Sequence, residues 1–314
     1  MPKLRAGLLV HIFLIGFALS IPSLAAETSS LTLSEVNLVG TKRLSTDDAV
    51  RGLDLKLGKA TTRQSLLRAC NRFQRLQLFE SSHCRYRVQR HIISLTIFVE
   101  EKWTGWPVVF QNFVWTTRAE LLARLKKEIP LFMPELPESS GLTKDIIRVL
   151  EQVVAEHGVK AHVIYDDHFW TDKGMNVFLI DWISTPVTSL QIQGENSPGT
   201  EVLRKWSQFY TKEDFSAPRL TWVIQWVIRD LYKPRGYLRP VVGEPIVQCL
   251  GEKDGTYPVH VILPISSGPF SPLTPSSLRG WPRNMQRTCY QGGSSNLATR
   301  LTKLMSINLR STRS

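Results

Sequence analysis

Beyond its first 25 residues, this 314-residue chain has no apolar run long enough to cross a bilayer as a helix. It also lacks the common catalytic signatures. Gly-x-Ser-x-Gly, Gly-x-Gly-x-x-Gly and His-Glu-x-x-His are all missing, so no nucleophile elbow, dinucleotide fingerprint or zinc-protease helix is present. Residues 52–59 resemble a phosphate loop only superficially. Five residues separate Gly52 from Gly58, and Ala60 stands where Ser or Thr would bind magnesium, so the segment reads as a turn between helices. Cysteine is scarce: the four present match no zinc spacing, and no cofactor is expected. Acid is missing from residues 279–314, which hold seven Lys/Arg and no Asp or Glu. The formal charge of +12 therefore divides unevenly. Residues 26–278 carry 30 basic and 27 acidic side chains, a net of +3, which is not the surface of a nucleic-acid-binding domain. The basic tail is either simply solvated or touches anionic lipid headgroups.

What is present begins with an export pattern. Lys3 and Arg5 precede an apolar stretch over residues 8–21, and Ser23 and Ala25 occupy the small-residue positions of a cut after Ala25. The apolar stretch falls short of the roughly 20 residues of a membrane anchor. A cleavable signal over residues 1–25 is the expectation, which places the mature chain outside the cytoplasm.

After it, one pattern is written three times: strand, helix, helix, strand, strand. The first copy has a strand over residues 33–40 and a short helix opened by residues 45–48. A second helix starts at the capping box Thr61-x-x-Gln64, and two strands follow over 84–89 and 92–100. The second copy has a strand over 108–114, a helix capped by Thr117-x-x-Glu120, and a Pro-rich loop over 130–140. A helix carrying Ile146, Leu150 and Val153 ends at Gly158, before strands over 159–165 and 175–183. The third has a strand at Val187–Gly194 and a helix over 200–210. Ser216 caps its second helix, with Pro218 in the first turn, and strands follow over 237–248 and 259–265. Repeated units of 75–80 residues are the mark of a modular binding protein rather than of an enzyme with one large cleft.

The strand-ending Val39-Gly40 and Ile192-Gln193-Gly194 carry a family resemblance, as do the joints Leu78-Phe79, Gly158-Val159 and Gly236-Tyr237. The run from Tyr232 to Leu238 is the most specific. The chain resembles the POTRA (polypeptide-transport-associated) domains of the outer-membrane β-barrel assembly factor family, over about three quarters of its length. The resemblance implies an α+β fold of tandem βααββ domains, each a three-stranded mixed sheet covered by two helices. Their expected bounds are 32–104, 105–185 and 186–266. Family members usually continue into a membrane β-barrel, whereas the residues after 266 are Pro/Ser-rich and then basic. Two readings of residues 267–314 stand: a disordered tail, or a reading frame lost near residue 270, the second preferred.

The resemblance also implies that the second strand of each unit is a sheet edge, where another chain can add by main-chain pairing. Val159, Ala161, Val163 and Tyr165 are the candidate docking residues in the second unit, and Tyr237, Arg239 and Val241 in the third. The partners implied are unfolded or extended outer-membrane polypeptides and other envelope assembly proteins, in the periplasm and beside the outer membrane if the chain continues into a barrel. The alternative is a scaffold that binds one fixed envelope partner, as in cell division.

Four further groups of residues attract notice. Trp222 and Trp226 fall opposite the apolar stripe of their helix, where they would meet Trp206, the preceding repeat or a partner. Cys70 and Cys84 could pair across a helix–sheet interface or remain buried thiols, the latter preferred; Cys249 and Cys289 have no argument for pairing. His162, Asp166, Asp167 and His168 could ligate a metal but read as a solvated polar turn. Glu100 and Glu101 end a strand with nothing placing them about a scissile bond.

Overall fold

Six elements make the first unit: Leu31–Val39 (β1), Thr46–Gly52 (α1), Ala60–Thr61 (β2), Arg63–Arg75 (α2), Ser81–Gln89 (β3) and Ile92–Glu100 (β4). Strand β4 explains the layering. Ile93, Leu95, Ile97 and Val99 are buried while Ser94, Thr96 and Phe98 are half-buried, so one face of the sheet packs and the other stays open. Helix α2 supplies Leu66, Ala69, Cys70 and Phe73 to the packed face. Ser45 caps α1 by accepting from the Asp48 N–H at 3.0 Å. The capping box of α2 is Thr62 with Ser65, one residue later than expected, because Thr61 is drawn into β2 and pairs with Leu31.

The computed structural model describes residues 31–101, 105–138, 140–166, 174–194 and 239–269, with 204, 207, 210, 211, 213–227, 232 and 237. The expected signal, most of the helix over 200–210 with Trp206, and Asp167, His168, Gly236, Cys289 and the tail beyond 269 lie outside the described residues, as do the side chains of Trp222 and Trp226.

The second unit contains Trp106–Phe110 (β5), Arg118–Glu128 (α3), Glu135–Leu136 (β6), Thr143–Glu156 (α4), Val163–Asp166 (β7) and Asn176–Ile180 (β8). The third contains Val187–Gly194 (β9), Ala217–Val227 (α5), Val241–Val242 (β10), Ile246–Cys249 (β11) and Val259–Ser266 (β12). In each unit the first strand lies parallel to the last, and the preceding strand pairs antiparallel on the last strand's other side. The fold is α+β with mixed sheets.

Several elements differ from expectation, each for a local reason. The three-stranded frame gains the short strands β2 and β6 on the outer side of β1 and β5, and β6 lies inside what reads as a Pro-rich loop. Strand β5 stops at Phe110 because Asn112 pairs through its side chain, donating to the Ile180 carbonyl at 2.9 Å and accepting from the Ile180 N–H at 2.7 Å. The strand expected over 237–248 is two pieces, β10 and β11, broken at residues 243–245. Neither Pro245 nor the facing Pro264 has an N–H to offer, and a Cβ on Gly243 would stand 2.8 Å from Pro264 Cγ.

The first two units share one apolar cluster running from Leu31 to Ile180. At their joint Lys126 Nζ donates to Asp48 Oδ2 at 2.9 Å and to the carbonyls of Pro130 and Phe132, and the Gly141 N–H donates to the Leu76 carbonyl at 2.9 Å. A second cluster, from Val114 to Ile265, forms the core of the third unit. There Trp115 meets Tyr257 edge-on at 4.9 Å, and the Ala217 N–H donates to the Gln111 carbonyl at 3.1 Å.

Candidate polypeptide-docking edge

In an antiparallel ladder, successive residues turn their N–H and C=O alternately toward the partner strand and away from it. Which residues of an edge strand face outward therefore follows from a single contact. On β3 that contact is Gln74, whose Nε2 donates to the Ser82 carbonyl at 2.9 Å from α2. Ser82 thus faces away from β4. Pairing runs from Ser81↔Glu100 to Gln89↔Ile92 with no register break, so Cys84, Tyr86 and Val88 face outward too. Their outward N–H and C=O groups have no hydrogen-bond partner among the described residues.

The same edge is stapled to its helix. Of the two alternatives for Cys70 and Cys84, the disulfide across the helix–sheet interface is the one formed, against the preferred buried thiols, because α2 and β3 run side by side here. Gln74 meets Ser82 and Cys70 meets Cys84, so the helix row runs on from Gln74 through Cys70 toward Leu67 as the strand advances toward Tyr86. Leu67 and Tyr86 are both exposed, at 48% and 44%. On the opposite, open face Phe98 is stacked against His83 at 4.9 Å and lies beneath the Arg85 guanidinium at 5.2 Å.

The other two edges differ. The His162 carbonyl accepts from the Asp181 N–H at 2.8 Å and so faces β8, which turns Val163 outward. There Glu151 Oε1 accepts from the Val163 N–H at 3.3 Å and also approaches His162 Nδ1 at 3.3 Å. Part of this four-residue edge is therefore already occupied by a carboxylate from α4. In the third unit, β11 turns Val247 and Cys249 outward, because the Leu250 N–H donates to the Pro258 carbonyl. Ile246 at the start of this strand and Leu250 just past its end are exposed apolar side chains.

The candidate docking residues separate accordingly. Val163 and Tyr165 lie on β7, but Val159 and Ala161 precede that strand, and Val159 is buried in the core. Val159 is apolar because it closes the packing beneath α4, which mimics a strand's beginning in the sequence. Tyr237 packs edge-on against Tyr232 at 5.6 Å, Arg239 precedes β10, and Val241 is on β10 and exposed. The nine-residue β3, expected as an edge over residues 84–89 but without individual docking residues, is the longest continuous edge of the three. Its signal was the alternation His83, Arg85, Arg87. Among the described residues no group of His, Cys, Asp or Glu is arranged to hold a metal. No helix among them is long and apolar enough to cross a membrane.

No protein-family model and no curated protein matches the chain. Among solved structures it is similar to the N-terminal domain of Omp85 from Thermosynechococcus elongatus, at 13% identity and a TM-score of 0.23, over 76% of this chain and 98% of that one. It is also similar to POTRA1-3 of the periplasmic domain of Omp85 from Anabaena, at 11% identity and a TM-score of 0.24, over 80% and 98%. A third is Haemophilus influenzae BamA POTRA3-5, at 11% identity and 0.22, over 76% and 98%. The chemistry of the edge rests on the chain's own geometry.

Proposed function

We propose that this chain is an exported polypeptide-binding array, and that β3 takes up an extended segment of its client as an additional strand. The observation that carries this reading is the outward backbone of Cys84, Tyr86 and Val88, unpartnered among the described residues beside an exposed Leu67. Main-chain pairing is tolerant of sequence, which suits a protein that must accept many unfolded chains. The sequence resemblance over residues 232–238 points to outer-membrane polypeptides as those clients, and with the export pattern to the periplasm as the place. No catalytic role is assigned.

Alternate N-methylation of a bound peptide tests the mechanism. An extended client peptide, found by crosslinking to a photoreactive residue at position 88, is synthesised in two series with methyl groups on odd or even amides. One series should lose binding at least tenfold and the other should keep it, because only alternate amides face the edge. Equal binding of both series would show that side chains alone hold the client.

A further inference from the structure

The small net charge of the body conceals a division between its units. Residues 31–100 hold twelve Lys/Arg against six Asp/Glu, while residues 101–278 hold eighteen against twenty. Part of that excess lies on the candidate edge. Arg85 and Arg87 are exposed, and neither makes an ion pair among the described residues. Arg85 is instead held over the Phe98 ring at 5.2 Å, with His83 stacked on the same ring. By contrast, β11 in the third unit has the sequence IVQC, with no charge at all.

Strand alternation fixes what these cations would meet. The outward backbone belongs to Cys84, Tyr86 and Val88, so an added strand would hydrogen-bond to those three. Arg85 and Arg87 would then occupy the non-hydrogen-bonded positions, where opposing residues lie closest, about 4.5 Å between Cα atoms. Both side chains point to the open face, as the stacking on Phe98 shows for Arg85. The incoming residues between them would point to the helix face, beside Leu67 and the Cys70–Cys84 bridge.

We infer that β3 selects acidic, alternating segments: an extended polypeptide with Asp or Glu opposite Arg85 and Arg87 and an apolar side chain between them. This rests on the strand-addition reading above and names its substrate class. The same charges oppose a second copy of β3, since antiparallel self-pairing would set arginines against each other. The strand can therefore remain open to acidic clients without joining its own kind.

Three blocked peptides of about eight residues, alternating Val with Glu, Thr or Lys, are titrated against the full chain at low and high salt. The Val/Glu peptide should bind about tenfold tighter than Val/Thr, and Val/Lys weakest, from two favourable cross-strand pairs. The preference should shrink as salt screens it. In the Arg85→Glu, Arg87→Glu double variant the order should reverse, and circular dichroism reports whether that variant is folded. If it is not, the wild-type ranking and its salt dependence decide alone. Binding of all three peptides with equal affinity would overturn the charge selectivity and leave strand addition standing. Absence of binding by any of them, with no change at the amides of β3, would overturn both.

Discussion

Gln74 Nε2 lies 2.9 Å from the Ser82 carbonyl, and this one bond marks which residues of the β3 ladder turn their backbone outward. It also ends the open stretch, since the outward carbonyl at Ser82 is already taken while those of Cys84, Tyr86 and Val88 are not. Replacing Gln74 with Leu keeps a helix-forming side chain but removes the donor. Because the bond is exposed, the expected loss is at most about 1 kcal/mol in urea unfolding. A peptide long enough to reach Ser82 should then bind more tightly to the variant than to the parent. Unchanged affinity for such a peptide would mean that the added strand does not extend to that end.

The Cys70–Cys84 bridge closes a short loop, with a sequence separation of 14, between the helix and the edge it lies beside. A loop of that length is associated with about 3 kcal/mol, mainly through the unfolded chain. Reduction, or the Cys70→Ala, Cys84→Ala double variant, should lower the melting temperature by an amount consistent with that loss. It should also weaken peptide docking, because α2 is no longer fastened along β3. An identical melting curve with and without reductant would show that the bridge contributes nothing to the fold.

Asp48 joins the first two units through Lys126. Burial works to raise its pKa, but hydrogen bonds with Lys126, Ser45 and Arg51 outweigh it and hold the carboxyl down at about 2, from an ordinary 3.8. A group depressed in the folded state contributes fully above its unfolded value and loses that contribution as pH falls through the folded one. The window is therefore pH 3.8 to 2, and the contribution is on the order of 2 kcal/mol. Between pH 4 and pH 2 the parent should lose about that much more stability than Asp48→Asn. Parallel pH profiles would contradict this assignment.

Gly141 approaches the end of α2 so closely that a Cβ there would stand 2.8 Å from Leu76 Cα and 2.9 Å from the Arg75 carbonyl oxygen. Both are backbone atoms and have little room to yield. Gly141→Ala should cost about 1–3 kcal/mol and move the second unit relative to the first, seen as a changed maximum dimension in small-angle scattering. No change in either quantity would show that the joint is not close-packed in solution.

Much of this architecture can be read from residue patterns, and the parts that cannot share a physical cause. β4 and β9 have the bounds expected, and β12 nearly so, because their apolar residues pack against one face. The caps Ser45, Thr117 and Ser216 are local, involving partners three residues away, and so are legible. β2 and β6 have two residues each, too few to show a period. The break at residues 243–245 depends on Pro264, which faces it from another strand. For the docking edge, the sequence shows strands but not their occupancy. Glu151 reaches the Val163 N–H from twelve residues away, and Gln74 reaches Ser82 from the neighbouring helix. Contacts of that kind decide which edge is open, and no pattern within the strand reveals them.

Amide hydrogen exchange along β3 tests the central claim most directly. In the chain alone, the amides of Arg85 and Arg87, which face β4, should exchange slowly. Those of Cys84, Tyr86 and Val88, which face outward, should exchange quickly. Adding the alternating Val/Glu peptide should slow those three and leave the first two unchanged. Uniform protection along β3 before any peptide is added, or no new protection at Cys84, Tyr86 and Val88 when one binds, would contradict an open edge that receives a client strand.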